Sequence, residues 1–171
     1  MSASAHMPYF IKPSQPLSAQ EKVLAYQQIL SEFKILCTAE DSTTVKMVTI
    51  NSLIKTHLPY AYWVGFYIWT GTLLEVGPYQ GTLGCIYIEQ GRGVCGKAAA
   101  TKKTQLVADC HALAQGTDHI ACDPNSQSEI VVPVLDEHGG LLGVLDLDSS
   151  LKESFDHIDQ RYLEELVTFI G

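Results

Sequence analysis

From residue 18 the apolar positions fall into a helical rhythm. Val23, Tyr26, Leu30, Phe33 and Cys37 recur at three- and four-residue steps, the stripe of a helix that buries one side. Ser18 and Glu21, in "SAQE", form a capping-box signature at its start. A second helix is predicted from Asp41 or Ser42, carrying Val45, Val48 and Leu53 and closed by Pro59, because the residue before a proline is pushed out of helical geometry. Then the period changes. "YWVGFYIW" (62–69) is aromatic and β-branched and reads as a strand, with "TGT" turning into its hairpin partner "LLEVGPY". "VVPVLD" and "LLGVLDLD" flank "EHGG" as a second hairpin. Phe155, Ile158, Tyr162, Leu166 and Ile170 share one face of a final helix. The order helix, helix, strands, helix predicts an α+β fold, a central antiparallel β-sheet flanked by helices. Between them, residues 80–128 are glycine-rich and polar and hold four of the five cysteines. An irregular segment of that length in a compact domain is usually functional or disordered.

Strand alternation sorts the chemistry by face. Asp146 and Asp148 are two residues apart, so they share one face, and the interleaved Leu145 and Leu147 point to the other. A two-residue loop at His138–Gly139 sets Glu129 directly opposite Asp148. Moving the loop to Gly139–Gly140 sets Glu129 diagonal to it on the same face. Both registers gather three acids on one patch. Like charges opposed across strands are destabilising by about 0.2–1 kcal/mol, so the patch is either a solvated acidic face or a cluster with a use. In a cluster, at least one carboxyl has a raised pKa and can act as a proton donor, while the others accept hydrogen bonds from an ammonium group. On the first strand Trp63 and Tyr67 alternate with Tyr62, Val64, Phe66 and Ile68. If the second set faces the helices, Trp63 and Tyr67 stand beside the acids, as an aromatic wall for a small cation with an apolar part.

Composition narrows the classes. The 171 residues suit one domain, taken as 18–171 after a lead-in at 1–17 that has neither a charged start nor an apolar core of a signal peptide. Eleven Lys and Arg against nineteen Asp and Glu give a net charge of -8, which argues against nucleic acid as a partner. The apolar runs are too short for a membrane span. The expected location is cytoplasmic, where thiols stay reduced and cysteines tend to be chemical or metal-binding.

Cys37 sits on the apolar stripe of the first helix and reads as core. Cys85, Cys95, Cys110 and Cys122 are separated by nine, fourteen and eleven residues, with no CxxC, so a zinc ribbon is disfavoured. A zinc set from His119, Cys122, Cys85 and Cys95 is the metal alternative; redox or nucleophilic chemistry is the favoured one. Cys95, in "GRGVCGKAAA", is expected near a helix N-terminus, a place that lowers a thiol pKa. Cys122, in "HIACDPNSQSEI", lies among acids that oppose its thiolate form.

The run "GPYQGTLGC…GRGVCG…HIACD…S.SEIVVPV…GVLDLDS" resembles the free methionine-R-sulfoxide reductases, a branch of the GAF-domain superfamily. The resemblance spans motifs over residues 60–150 and implies a GAF-like fold. It implies Cys122 as nucleophile, Cys85 as the main resolving cysteine and Cys95 as an auxiliary redox cysteine. It implies Glu129, Asp146 and Asp148 as substrate-binding acids, with Trp63 and Tyr67 as pocket aromatics. The reaction implied is reduction of free methionine sulfoxide through a sulfenic acid and an intramolecular disulfide. Thioredoxin would be the external reductant, with no cofactor, no resident metal and a homodimer as an allowed assembly. Two features depart from the pattern: a longer stretch around "HALAQGTD", and Cys110 where an apolar residue is expected. The rival reading is a GAF domain that senses a small molecule without chemistry.

Overall fold

The computed structural model describes residues 14–113 and 123–171. Two helices, α1 (Ala19–Leu36) and α2 (Thr43–His57), precede β1 (Trp63–Trp69), β2 (Leu73–Gln80) and a short β3 (Tyr87–Glu89). Then come α3 (Gly93–Thr101), β4 (Gln105–Val107), α4 (Cys110–Leu113), β5 (Ser128–Leu135), β6 (Leu141–Ser149) and α5 (His157–Val167). The strands form one six-stranded sheet in the order β3-β2-β1-β6-β5-β4, antiparallel at every pairing. The fold is α+β, as the hydrophobic pattern predicts.

The Ser18 hydroxyl accepts from the Glu21 amide while the Glu21 carboxylate accepts from the Ser18 amide, closing the capping box of α1. Ahead of it, Ser14 is buried and its amide and hydroxyl are hydrogen-bonded to Ser150. In α2 the buried side is Met47, Ile50, Leu53 and Ile54, and Val45 and Val48 are exposed. The expected stripe is right at Leu53 and rotated at the two valines. The reason is that α2 is apolar on more than one side, so spacing alone does not select the packed face.

Pleating divides the sheet. Val64 and Phe66 of β1, Ile130, Val132 and Val134 of β5, and Leu145 and Leu147 of β6 pack with α1, α2 and α5 into the main core. The other face carries Trp63, Tyr67, Val131 and Val144, covered by α3 through Val94, Cys95, Ala98 and Ala99. Tyr62, expected with the helix-facing set, belongs to this second cluster. It precedes β1, so strand alternation does not govern it.

Among the described residues, the main core holds one buried charge pair. The Lys22 ammonium donates to Asp159 on α5 at 2.6 Å, and the Tyr26 and Tyr60 hydroxyls donate to the same carboxylate at 2.8 and 2.6 Å. These partners satisfy a carboxylate with no solvent exposure and tie α1 to α5. The α5 face therefore centres on Asp159, Leu163 and Leu166, with Ile158 and Tyr162 half-buried at its margin.

Candidate active site

The site lies on the α3 face, where β1, β5 and β6 run side by side. Glu129 pairs directly with Asp148 across β5 and β6, and Trp63 and Gly65 of β1 stand opposite Asp148 and Asp146. This is the first of the two expected registers, reached by another route. The connection is a five-residue turn over Asp136–Gly140, with a bulge between Val134 and Leu135. The Asp136 carboxylate accepts from the amides of His138 and Gly140, and Gly139 has φ +79, a left-handed geometry that suits glycine.

Gly65 makes room for an aromatic floor. A Cβ there would lie 2.3 Å from Tyr79 Cβ and 2.7 Å from Trp63 Cη2. Without one, the indole stacks between Tyr67 and Tyr79, at centroid distances of 5.9 and 5.3 Å. Trp63 Nε1 donates to the Thr82 carbonyl at 2.9 Å, and the Thr82 hydroxyl donates to Asp123 at 2.5 Å. The indole thus anchors the segment leading to Cys85, and Thr82 ties that segment to the residue after Cys122.

Trp63, Tyr67, Cys85, Cys95, Glu129, Asp146 and Asp148 all line one cavity of about 270 Å³, together with Arg92, Asp123 and Ser126. Cys122 lies outside the described residues, as does His119 of the zinc alternative. Cys37, Cys95 and Cys110 are buried free thiols; Cys85, half-buried at the cavity wall, is disulfide-bonded.

The electrostatics are one-sided. Glu129 is 9% exposed and Asp146 5%, and neither they nor Asp148 form an ion pair among the described residues. Burial, then the charges of Asp146 and Asp148, push the Glu129 carboxyl well above its ordinary range. Burial and Asp148 raise Asp146, opposed by hydrogen bonds from Cys95 and Glu129. Asp148 is pushed up to about 7, chiefly by burial, although the Ser126 hydroxyl donates to it and opposes the rise. Glu129 and Asp146 both shift upward and face each other, so they titrate as a pair.

Cys95 is the third residue of α3, at the helix start as expected. Its thiol is nevertheless pushed well above its ordinary value, by burial and then by Asp146 and Glu129. It donates to Asp146 Oδ2 at 3.4 Å. Burial and the neighbouring carboxyls outweigh the helix terminus here, so Cys95 rests as a thiol. Cys110 sits 3.7 Å from the Ser126 hydroxyl and is pushed up to about 12, mainly by burial. The roles of Ser126, Thr82 and Asp123 escape sequence reasoning. Each is a small polar residue in a polar loop, and only the fold tells such residues apart.

Comparisons with known proteins agree on one family. The GAF-domain model matches residues 42–171. The free methionine-R-sulfoxide reductase of Saccharomyces cerevisiae is 37% identical over 159 residues, 89% of this chain and 86% of that protein. The Escherichia coli protein of the same name is 36% identical over 142 residues, 83% of this chain and 84% of the relative. The structure is similar to that of free methionine-R-sulfoxide reductase from Neisseria meningitidis in complex with its substrate. That similarity has a TM-score of 0.78 and 34% identity, over 92% of each chain.

Proposed function

Since this chain belongs to the GAF-domain family, and within it to the free methionine-R-sulfoxide reductases, we propose that it is an oxidoreductase that reduces free L-methionine (R)-S-oxide to methionine. The observation that carries this reading is the cavity itself. Three carboxyls that have no cationic partner among the described residues share a pocket with an aromatic floor and two cysteines. The volume of about 270 Å³ suits a single amino acid better than a drug-sized ligand, whose sites begin at about 300 Å³.

Each group of the substrate has a counterpart. Asp146 and Asp148 accept hydrogen bonds from its ammonium, which a methionine residue inside a polypeptide lacks. The thioether stem lies along Trp63 and Tyr67. The carboxylate meets the start of α3, where Arg92 gives no side-chain cap to the first amides and Gly93 and Val94 line the cavity. The sulfoxide oxygen receives a proton from the Glu129–Asp146 pair.

The Cys122 thiolate attacks the sulfoxide sulfur. That attack forms a sulfur–sulfur bond; with one proton supplied the sulfur–oxygen bond breaks and the oxygen leaves as hydroxide, which attacks the Cys122 sulfur, so that methionine departs with the electron pair of the sulfur–sulfur bond and Cys122 becomes a sulfenic acid. The Cys85 thiol condenses with that sulfenic acid, forming a disulfide and releasing water. A dithiol protein of the thioredoxin type returns both cysteines to thiols by exchange. What supports the pairing is that Cys85 is disulfide-bonded while Cys37, Cys95 and Cys110 are free. Among the described residues no helix is long and apolar enough to cross a membrane, which fits a cytoplasmic enzyme using a cytoplasmic reductant.

The deciding experiment incubates the protein with free methionine sulfoxide and dithiothreitol and quantifies methionine by chromatography. Stoichiometric loss of the R epimer supports the reading. A protein that binds the amino acid and releases no methionine is a sensor.

A further inference from the structure

Cys95, Glu129 and Asp146 do more than crowd one another. One ligand atom from each, the Cys95 sulfur and a carboxylate oxygen from each acid, lies within 4.8 Å of the other two. A tetrahedral zinc ion with Zn–S of about 2.3 Å and Zn–O of about 2.0 Å has a sulfur–oxygen edge of about 3.5 Å. The Cys95 sulfur is 3.4 Å from Asp146 Oδ2. Asp146 is 5% exposed, lines the cavity, and its second oxygen, Oδ1, is buried with no hydrogen-bond partner among the described residues. That oxygen bears an unmet demand for a donor or a cation.

We propose that Cys95, Glu129 and Asp146 form a reversible binding site for a thiophilic divalent cation of the zinc class, which overlaps the substrate's place at Glu129 and Asp146. The donor set selects the metal. One thiolate and two carboxylates suit Zn²⁺ or Cd²⁺, whereas Mg²⁺ and Ca²⁺ are hard cations that take oxygen ligands and gain nothing from a thiolate. On binding, Cys95 releases its thiol proton to solvent and its sulfur becomes a thiolate ligand. The fourth position faces the cavity, open to water. The bound ion excludes the amino acid, so zinc inhibits the reductase in competition with methionine sulfoxide and a chelator restores activity. This last consequence rests on the reductase reading; the metal site does not.

The test uses the reduced full chain and Co²⁺ as a spectroscopic stand-in for zinc. One equivalent of Co²⁺ is expected to give the visible bands of tetrahedral cobalt and a near-ultraviolet thiolate-to-cobalt charge-transfer band. Zn²⁺ should bleach both. Cys95→Ser should lose the charge-transfer band. Glu129→Gln and Asp146→Asn should each weaken binding at least tenfold, and Cys85→Ser should keep the band. If Cys95→Ser misfolds by circular dichroism, Cys95→Ala replaces it. Absence of the charge-transfer band in the reduced wild type overturns the proposal. So does a band that survives in the folded Cys95 variant, because another thiol then supplies it. A protein that turns over methionine sulfoxide without binding cobalt refutes the metal site alone; one that binds cobalt without turnover refutes only the reductase reading.

Discussion

Glu129 and Asp148 stand directly opposite each other across β5 and β6, two carboxyls on the same face of a sheet. With Asp146 beside them and no salt bridge to any of the three among the described residues, ionising these acids strains the pocket electrostatically, and a cation or a proton relieves it.

That strain has a defined pH dependence. An aspartate in the unfolded chain titrates near 3.9, whereas Asp148 in the folded chain titrates at about 7. Between those values the folded state holds a proton that the unfolded state has lost. Its contribution to stability is therefore full below the unfolded value and disappears as pH rises through the folded one. Glu129 and Asp146 shift in the same direction. Asp146→Asn is expected to raise Tm by about 3 °C or more at pH 8, the shift for ~1 kcal/mol in a domain of this size. The gain should shrink at pH 4, and substrate affinity should fall at both. Thermal melts at the two pH values, with KM measured alongside, check it. An unchanged or lower Tm at pH 8 contradicts the buried-charge argument.

Ser126 sets the ionisation of Asp148. Its hydroxyl donates to that carboxylate and opposes the upward push of burial. Ser126→Ala is expected to move the Asp148 titration further up, leaving less of it ionised at pH 7 to receive the substrate ammonium. KM should rise roughly tenfold at neutral pH, as for loss of a hydrogen bond to a charged group, and recover as pH is raised. A KM penalty that does not change with pH would mark Ser126 as a packing residue.

The aromatic floor depends on the absence of one methyl group. Gly65→Ala places a Cβ 2.3 Å from Tyr79 Cβ and 2.7 Å from the Trp63 ring. The expected cost is about 1–3 kcal/mol of stability, the usual range for overpacking. Weaker substrate binding should accompany it, because the indole cannot keep its place. Denaturant melts and a fluorescence titration measure the two effects. Wild-type values for both would mean that β2 yields without strain.

The cysteines are separable kinetically. Cys122→Ser is expected to release no methionine even in a single turnover. Cys85→Ser should release one equivalent and then recycle poorly with thioredoxin. Rapid-quench assays distinguish these, and equal single-turnover yields from wild type and Cys122→Ser would remove Cys122 as the nucleophile.

Much of this was legible in sequence wherever a period of two or of about four residues was sustained. The alternation in "LLGVLDLD" places both aspartates on one face, and the same alternation in β1 puts Trp63 and Tyr67 with them. Three-residue strands such as β3 and β4 are too short to show a period, so the region 80–128 reads as irregular although it contains α3 and two sheet edges. Val45 and Val48 are apolar yet exposed, and Asp159 is charged yet buried; in both cases tertiary partners decide. The thiol of Cys95 illustrates the same limit. Its position at a helix start is a local fact, but it is held protonated by burial and by acids that come from strands more than thirty residues away in sequence.

The turn over Asp136–Gly140 touches no part of the cavity, yet it decides which residues do. Deleting a single residue there would slide β5 against β6 by one position and drive carboxyls into the oily layer beneath the helices, while leucines took their place. A turn at the surface thus sets which side of β5 the pocket receives.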